Sequence, residues 1–140
     1  MLKETDIRGR KTVLVVEDQA LLRRTICELL QSAFPDHDFL DAADGASALQ
    51  ACGAYRPVLV LMDKCLPDAD GIELTAQLKK LYPLMQIIVV SYRSGEIYVK
   101  RALAAGARGY LVKDNLNTEL IPAVAAAIGV LPATDPGNSQ

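Results

Sequence analysis

The sequence is poor in the residues that build metal cages and disulfide scaffolds. It holds a single histidine, His37, and three cysteines, Cys27, Cys52 and Cys65, at wide spacing. An odd number of cysteines without a CxxC pair argues against a zinc site and a stapled secreted scaffold, and suits a reducing compartment. Long apolar runs are also missing. The first run, residues 13–16, is far too short for a signal-peptide core or a membrane span. The expectation is a soluble, cytoplasmic protein with no membrane partner. Neither sign of charge dominates: 15 Lys and Arg face 17 Asp and Glu, a net charge of −2. That balance argues against nucleic-acid binding driven by bulk charge. There is no glycine-rich phosphate loop after any apolar run, no internal repeat and no low-complexity segment.

What is present is a chain of 140 residues, 51% of them apolar. That length fits one domain, which buries roughly two thirds of the surface its unfolded form exposes. Continuous apolar runs at 13–16, 58–62 and 87–90 are short, mostly β-branched and bounded by polar or turn residues. This is the pattern of parallel strands buried on both faces. Residues 38–42 and 109–113 are weaker strand candidates, as edge strands tend to be. Helical periodicity lies between them. Leu22, Ile26, Leu29, Leu30 and Ala33 share one face, as do Leu74, Leu78 and Leu81, and then Leu120, Val124 and Ile128. Two more helices are expected near 46–54 and 95–105, the second closed by Gly106. Pro122 falls early in the last helix, where it removes one backbone bond or shifts the helix start.

The order is a strand–helix pair repeated five times. It predicts an α/β fold: a flavodoxin-like (βα)5 sandwich with a parallel sheet of order 2-1-3-4-5 and helices on both faces. The expected division is an N-terminal extension at 1–10, one domain at 11–130, and a tail or the start of a linker at 131–140.

In such a sheet, ligands bind at the carboxyl ends of the strands near the point where strand order reverses. Glu17 and Asp18 follow the first strand, Asp63 the third, Ser91 the fourth and Lys113 the fifth. If the first and third strands are neighbours, three carboxylates converge and need a cation. Oxygen ligands without His or Cys favour Mg²⁺ or Mn²⁺. Lys113 and Ser91 would flank the same pocket and suit a phosphoryl group. Plainer readings exist for single residues. Asp18 alone could be a helix N-cap, Tyr110 plain packing, His37 a surface residue between two aspartates, and the cysteines small buried side chains. Five such residues at the ends of four strands weigh against coincidence.

Residues 13–18, 61–67 with Asp70 and Gly71, 90–91 and 105–113 resemble the receiver domain of bacterial two-component response regulators. The likeness runs from about residue 11 to about residue 130. Residues 105–114 and 120–124 most resemble receivers that precede a helix-turn-helix DNA-binding domain. The resemblance implies that Asp63 is the phosphoacceptor for a sensor histidine kinase. It implies that Glu17, Asp18 and Asp63 hold Mg²⁺, with the backbone carbonyl of Cys65. Lys113 and Ser91 would bind the phosphoryl oxygens, and Ser91 with Tyr110 would form a switch. The switch would alter the face made by the fourth helix, fifth strand and fifth helix, to act on an output domain or a partner, with a phosphorylation-dependent homodimer as one form. Cys65 and Arg93 stand where the family tunes phosphoryl lifetime. Tyr92 is bulky where a small residue is usual, and Asp114 replaces the proline of many receivers.

No enzymatic turnover is expected beyond the domain's own phosphorylation and dephosphorylation. Direct DNA binding by this segment is not expected, only through a C-terminal domain. The competing readings are a stand-alone receiver working by protein contact or phosphorelay, and an aspartate-nucleophile phosphatase. The latter lacks its Asp-x-Asp here, since residues 16–19 read Val-Glu-Asp-Gln.

Overall fold

The computed structural model describes residues 10–133. The expected extension at 1–10 and tail at 131–140 therefore fall mostly outside the described residues. The strands are β1 (Thr12–Val16), β2 (Asp38–Ala42), β3 (Leu59–Asp63), β4 (Gln86–Ser91) and β5 (Gly109–Val112). They form one parallel sheet in the order β2-β1-β3-β4-β5. The three apolar runs are its centre, and the two more polar candidates are its edges.

Alternation along each central strand builds two cores. Val13 and Val15, Leu59 and Leu61, and Ile88 and Val90 point to one face. There they meet Ile26 and Leu30 of α1 (Ala20–Ala33) and Leu120 and Val124 of α5 (Leu116–Ile128). Leu14, Val60, Met62 and Ile87 point to the other face. They pack on Ala48 and Cys52 of α2 (Gly45–Tyr55) and on Leu74 and Leu78 of α3 (Gly71–Leu81). Beside them, Val89 packs on Ala102 of α4 (Glu96–Ala104) and on Ile72. Every central strand is thus sealed on both sides, and its polar groups can emerge only at its ends.

Gly106 closes α4 as its sequence position suggested. Its φ is +106°, its N–H donates to Leu103 O, and the Ala107 N–H donates to Ala102 O. That pair of bonds answers two of the helix's last carbonyls.

One alternative is decided and two expectations change. Pro122 lies inside α5, because the helix starts at Leu116 as the continuation of a 3₁₀ turn at Lys113–Asn115. Its missing N–H is a mid-helix loss, tolerated because the apolar stripe anchors the helix. His37 is buried, 8% exposed, beneath Arg10, whose guanidinium donates to the His37 and Pro35 carbonyls. Of the cysteines, Cys52 is buried and Cys27 half-buried, but Cys65 is exposed, because it follows β3 out of the sheet.

Gly71 positions the segment after β3. Its N–H donates to Lys64 O at 2.6 Å, and a Cβ at this position would collide with the Asp63 carbonyl oxygen. Only glycine lets α3 start this close to the strand. Gly71→Ala is expected to cost about 1–3 kcal/mol or more of stability, read as a lower denaturation midpoint. An unchanged midpoint would mean that the segment has room the structure does not show.

Candidate functional site

Each polar residue expected at the carboxyl end of the sheet is found there. Glu17 follows β1, Asp63 ends β3, Ser91 ends β4 and Lys113 follows β5. Glu17, Asp63 and Ser91 are all buried, and the Lys113 side chain is 5% exposed. Because β1 and β3 are neighbours, their terminal carboxylates face each other. Glu17, Asp18 and Asp63 each place a carboxylate oxygen within 4.8 Å of the others. Asp18 is exposed and is not a helix cap. The N-cap of α1 is Gln19, whose side chain makes no capping bond and whose N–H donates to Glu17 Oε2 at 3.0 Å.

Lys113 holds the two buried carboxylates together. Its Nζ lies 2.8 Å from Glu17 Oε1 and 3.3 Å from Asp63 Oδ1. Asp63 Oδ1 also accepts the Cys65 N–H at 3.2 Å, whereas Asp63 Oδ2 is buried without a hydrogen-bond partner. Burial first, and then the charge of Glu17, push the Asp63 carboxyl up to about 7, against the pull of Lys113 and the Cys65 N–H. Burial works to lower the Lys113 pKa, but the hydrogen bond to Glu17 and the charges of Asp63 and Glu17 outweigh it, so the net shift is upward. The chemistry is that of a short-handed site: two buried anions share one cation, and one oxygen still lacks a partner. All-oxygen donors of this kind suit a hard divalent cation, and the orphaned Asp63 Oδ2 is the atom that such an ion or an electrophile would satisfy.

A cavity of about 320 Å³ opens over this cluster, lined by Asp18, Asp63, Cys65, Ser91, Tyr92 and Lys113 among others. The Tyr92 ring lies over the Lys113 ammonium, 4.8 Å from centroid to Nζ, a cation–π contact that keeps an exposed ring across the opening. Ser91 and Tyr110 are joined through Arg93. Ser91 Oγ accepts the Arg93 N–H at 3.0 Å, and the Tyr110 hydroxyl donates to the Arg93 carbonyl at 2.6 Å. The half-buried Tyr110 ring packs beside Ile72, Val89 and Ala102.

Two residues that shape the site were not singled out from the sequence. Arg23 donates to the Glu17 carbonyl at 2.7 Å and to Asp41 at 3.1 Å, and so fixes the turn that carries Glu17 and Asp18. Asp68 accepts the Gly45 and Ala46 N–H groups at 2.7 and 3.0 Å, and so ties the segment after Asp63 to the start of α2. An acidic residue in a loop carries no signal of its partner when that partner is a helix N-terminus more than 20 residues away. Asp70 has a local signature: it precedes a helix and accepts the Ile72 N–H at 2.8 Å.

The raised Asp63 pKa has a stability consequence with a definite sign. In the unfolded chain the group ionises near pH 4; in the folded protein it ionises near 7. Between those values the unfolded state releases a proton that the folded state keeps, so this group's contribution falls as pH rises. In chelator, Asp63→Asn should therefore melt above the parent by roughly 5 °C at about pH 8, the gap closing toward pH 4. A gap that widens on acidification would contradict the upward shift.

The response regulator receiver domain family matches residues 13–125. The transcriptional regulatory protein PdtaR of Mycobacterium tuberculosis is 33% identical over 128 residues, 89% of this chain and 60% of that protein. The DNA-binding transcriptional activator DevR/DosR of the same organism is 40% identical over 114 residues, 80% of this chain and 52% of that protein. Among solved structures, the signal receiver domain of the response regulator NarL from M. tuberculosis superimposes with a TM-score of 0.74. It is 31% identical, and the match covers 86% of this chain and 98% of that one. The chain thus spans only about half to three fifths of the length of these two regulators.

Proposed function

The chain belongs to the response regulator receiver domain family, and from that membership we propose that Asp63 accepts a phosphoryl group from the phosphohistidine of a sensor kinase. The observation that carries this reading is Asp63 Oδ2, buried and without a partner, beside Lys113 and beneath an open cavity. In the transfer, this oxygen forms the bond to phosphorus as the phosphorus–nitrogen bond to the kinase histidine breaks, its electron pair returning to the imidazole. Lys113, already 3.3 Å from Asp63 Oδ1, pairs with the incoming phosphoryl oxygens. Ser91 donates to one of them once its loop closes.

Glu17, Asp18 and Asp63, with the Cys65 backbone carbonyl, would hold Mg²⁺ (Mn²⁺ is the alternative). When bound, the ion supplies the positive charge that lets three carboxylates share the pocket and draws charge from the phosphoryl oxygens. The chain's own contribution is to keep Glu17 and Asp63 buried and facing each other, which the register of β1 with β3 does. The activity is that of a switch rather than of a turnover enzyme. In a longer protein of the kind it resembles, the switch would control a DNA-binding output domain. No helix among the described residues is long and apolar enough to cross a membrane.

Incubation with Mg²⁺ and a small acyl-phosphate donor should add one base-labile phosphoryl group, read by intact-mass measurement. Asp63→Asn should abolish it, and Tyr92→Ala should speed it several-fold by uncovering Lys113. Labelling that persists in Asp63→Asn at the parent rate places the acceptor elsewhere.

The readout would pass through Arg93. Moving Ser91 toward the phosphoryl group breaks its bond with the Arg93 N–H, and so disturbs the carbonyl that holds Tyr110. Tyr110 then turns inward beside β5. On the neighbouring α4, Ala102 is the buried residue, while Ile97 and Leu103 are exposed. That face is free to repack and to dock an output domain or a second copy of the chain. Chemical-shift mapping with a beryllium fluoride mimic should move Ser91, Arg93, Tyr110 and residues 95–105 together. Changes confined to Asp63 and the other carboxylates would sink this route.

A further inference from the structure

A second cavity, about 570 Å³, lies at the opposite end of the sheet from Asp63, where β1, β3 and β4 begin. It is in the size range of small-molecule sites, roughly 300–1,000 Å³. Apolar walls come from Val58, Met85 and Ile128, and the charged groups that line it are Lys11 and Arg56, with His37 beside them. Among the described residues, no carboxylate lines it. Of the two aspartates flanking His37, Asp38 is paired with Arg10 at 2.8 Å, and Asp36 is exposed with its charge acting on His37.

Cations at this end of an α/β fold usually answer the last carbonyls of the helices. Here other donors do so for α5, and Lys79 is committed to loop carbonyls. Lys79 Nζ donates to the Pro83 and Met85 carbonyls, Gln86 Nε2 to Ala127 O and Arg108 to Ala126 O. At the end of α2 it is the Arg56 backbone N–H, not the guanidinium, that bonds Cys52 O.

The guanidinium of Arg56 instead stacks on the Tyr82 ring, 4.6 Å from carbon to centroid, and its Nε is buried without a partner. His37, 8% exposed, likewise has a buried Nδ1 with no partner. Burial lowers the His37 pKa below its ordinary value, so the imidazole is neutral at neutral pH. Arg56 also occupies a left-handed backbone position, φ 48°, that glycine would take without strain. The cavity therefore combines a stacked, oriented guanidinium, a second cation and an apolar wall.

We propose that this cavity binds a small organic anion, a carboxylate or sulfonate head on an apolar body. The head sits between Arg56 and Lys11, and the body lies against Val58, Met85 and Ile128. This site is independent of the reading of Asp63.

The test uses the whole chain and anilinonaphthalene sulfonate as probe, followed by fluorescence titration and amide chemical-shift mapping. Saturable binding is expected, with shifts at Lys11, His37, Arg56, Val58 and Met85. Arg56→Gly removes the guanidinium but suits the backbone. It should weaken binding about tenfold or more while leaving the melting temperature equal or higher. If that variant melts lower, Lys11→Ala, at an exposed position, replaces it with the same expectation. The uncharged phenylnaphthylamine should bind at least about tenfold more weakly. Unsaturable binding, shifts centred elsewhere, unchanged affinity in the folded variant, or equal affinity for the uncharged probe each overturn the proposal.

Discussion

Everything at the carboxyl end of this sheet depends on the unequal sharing of one ammonium between two buried carboxylates. Glu17 and Asp63 are brought face to face by the pairing of β1 with β3, and neither can retreat, because each is at the end of a strand sealed on both faces. Lys113 reaches both but sits closer to Glu17. Burying three charged groups is a net cost unless geometry and hydrogen bonds compensate. Here the compensation is incomplete, as the raised Asp63 pKa and its orphaned oxygen record. A site with unmet electrostatic demand is the kind in which a modification or an ion can shift a packing equilibrium.

The connection from Ser91 to Tyr110 runs through few atoms. Arg93 is held on one side by the Ser91 hydroxyl and on the other by the Tyr110 hydroxyl. These bonds lie in an exposed loop, whereas the rings and methyls around them belong to a packed cluster. In the proposed switch, a cheap polar rearrangement would be geared to a discrete change in packing, since closely packed interiors have alternatives rather than gradations.

Much of this was legible in the sequence because it rests on period and position. The buried runs at 13–16, 58–62 and 87–90 marked the central strands, and their polar termini marked Glu17, Asp18, Asp63 and Ser91. The strand order placed those residues together. What escaped has a common cause: it depends on partners distant in the chain. His37 looks exposed between two aspartates until Arg10 is seen to cover it. Cys65 looks like core filler until the chain is seen leaving the sheet. Asp68 and Arg23 look like surface charges until their backbone partners are known. The start of α5 stays open in the sequence, because Pro122 fits a first turn as well as a helix interior, and only apolar packing carries the helix through it.

The Asp68 clasp gives the cleft a mechanical asymmetry. On one side, the stretch leaving Asp63 is riveted: Asp68 grips the head of α2, Leu66 N–H bonds Ala69 O, Asp70 grips α3, and Gly71 is pressed against the strand backbone. On the other, the stretch leaving Ser91 runs through exposed residues to Gly95. The cleft is a vise with one fixed jaw and one travelling jaw. A load applied between the jaws is not divided equally. The side leaving Ser91 has the fewer backbone ties, so the frame itself biases which side would yield first.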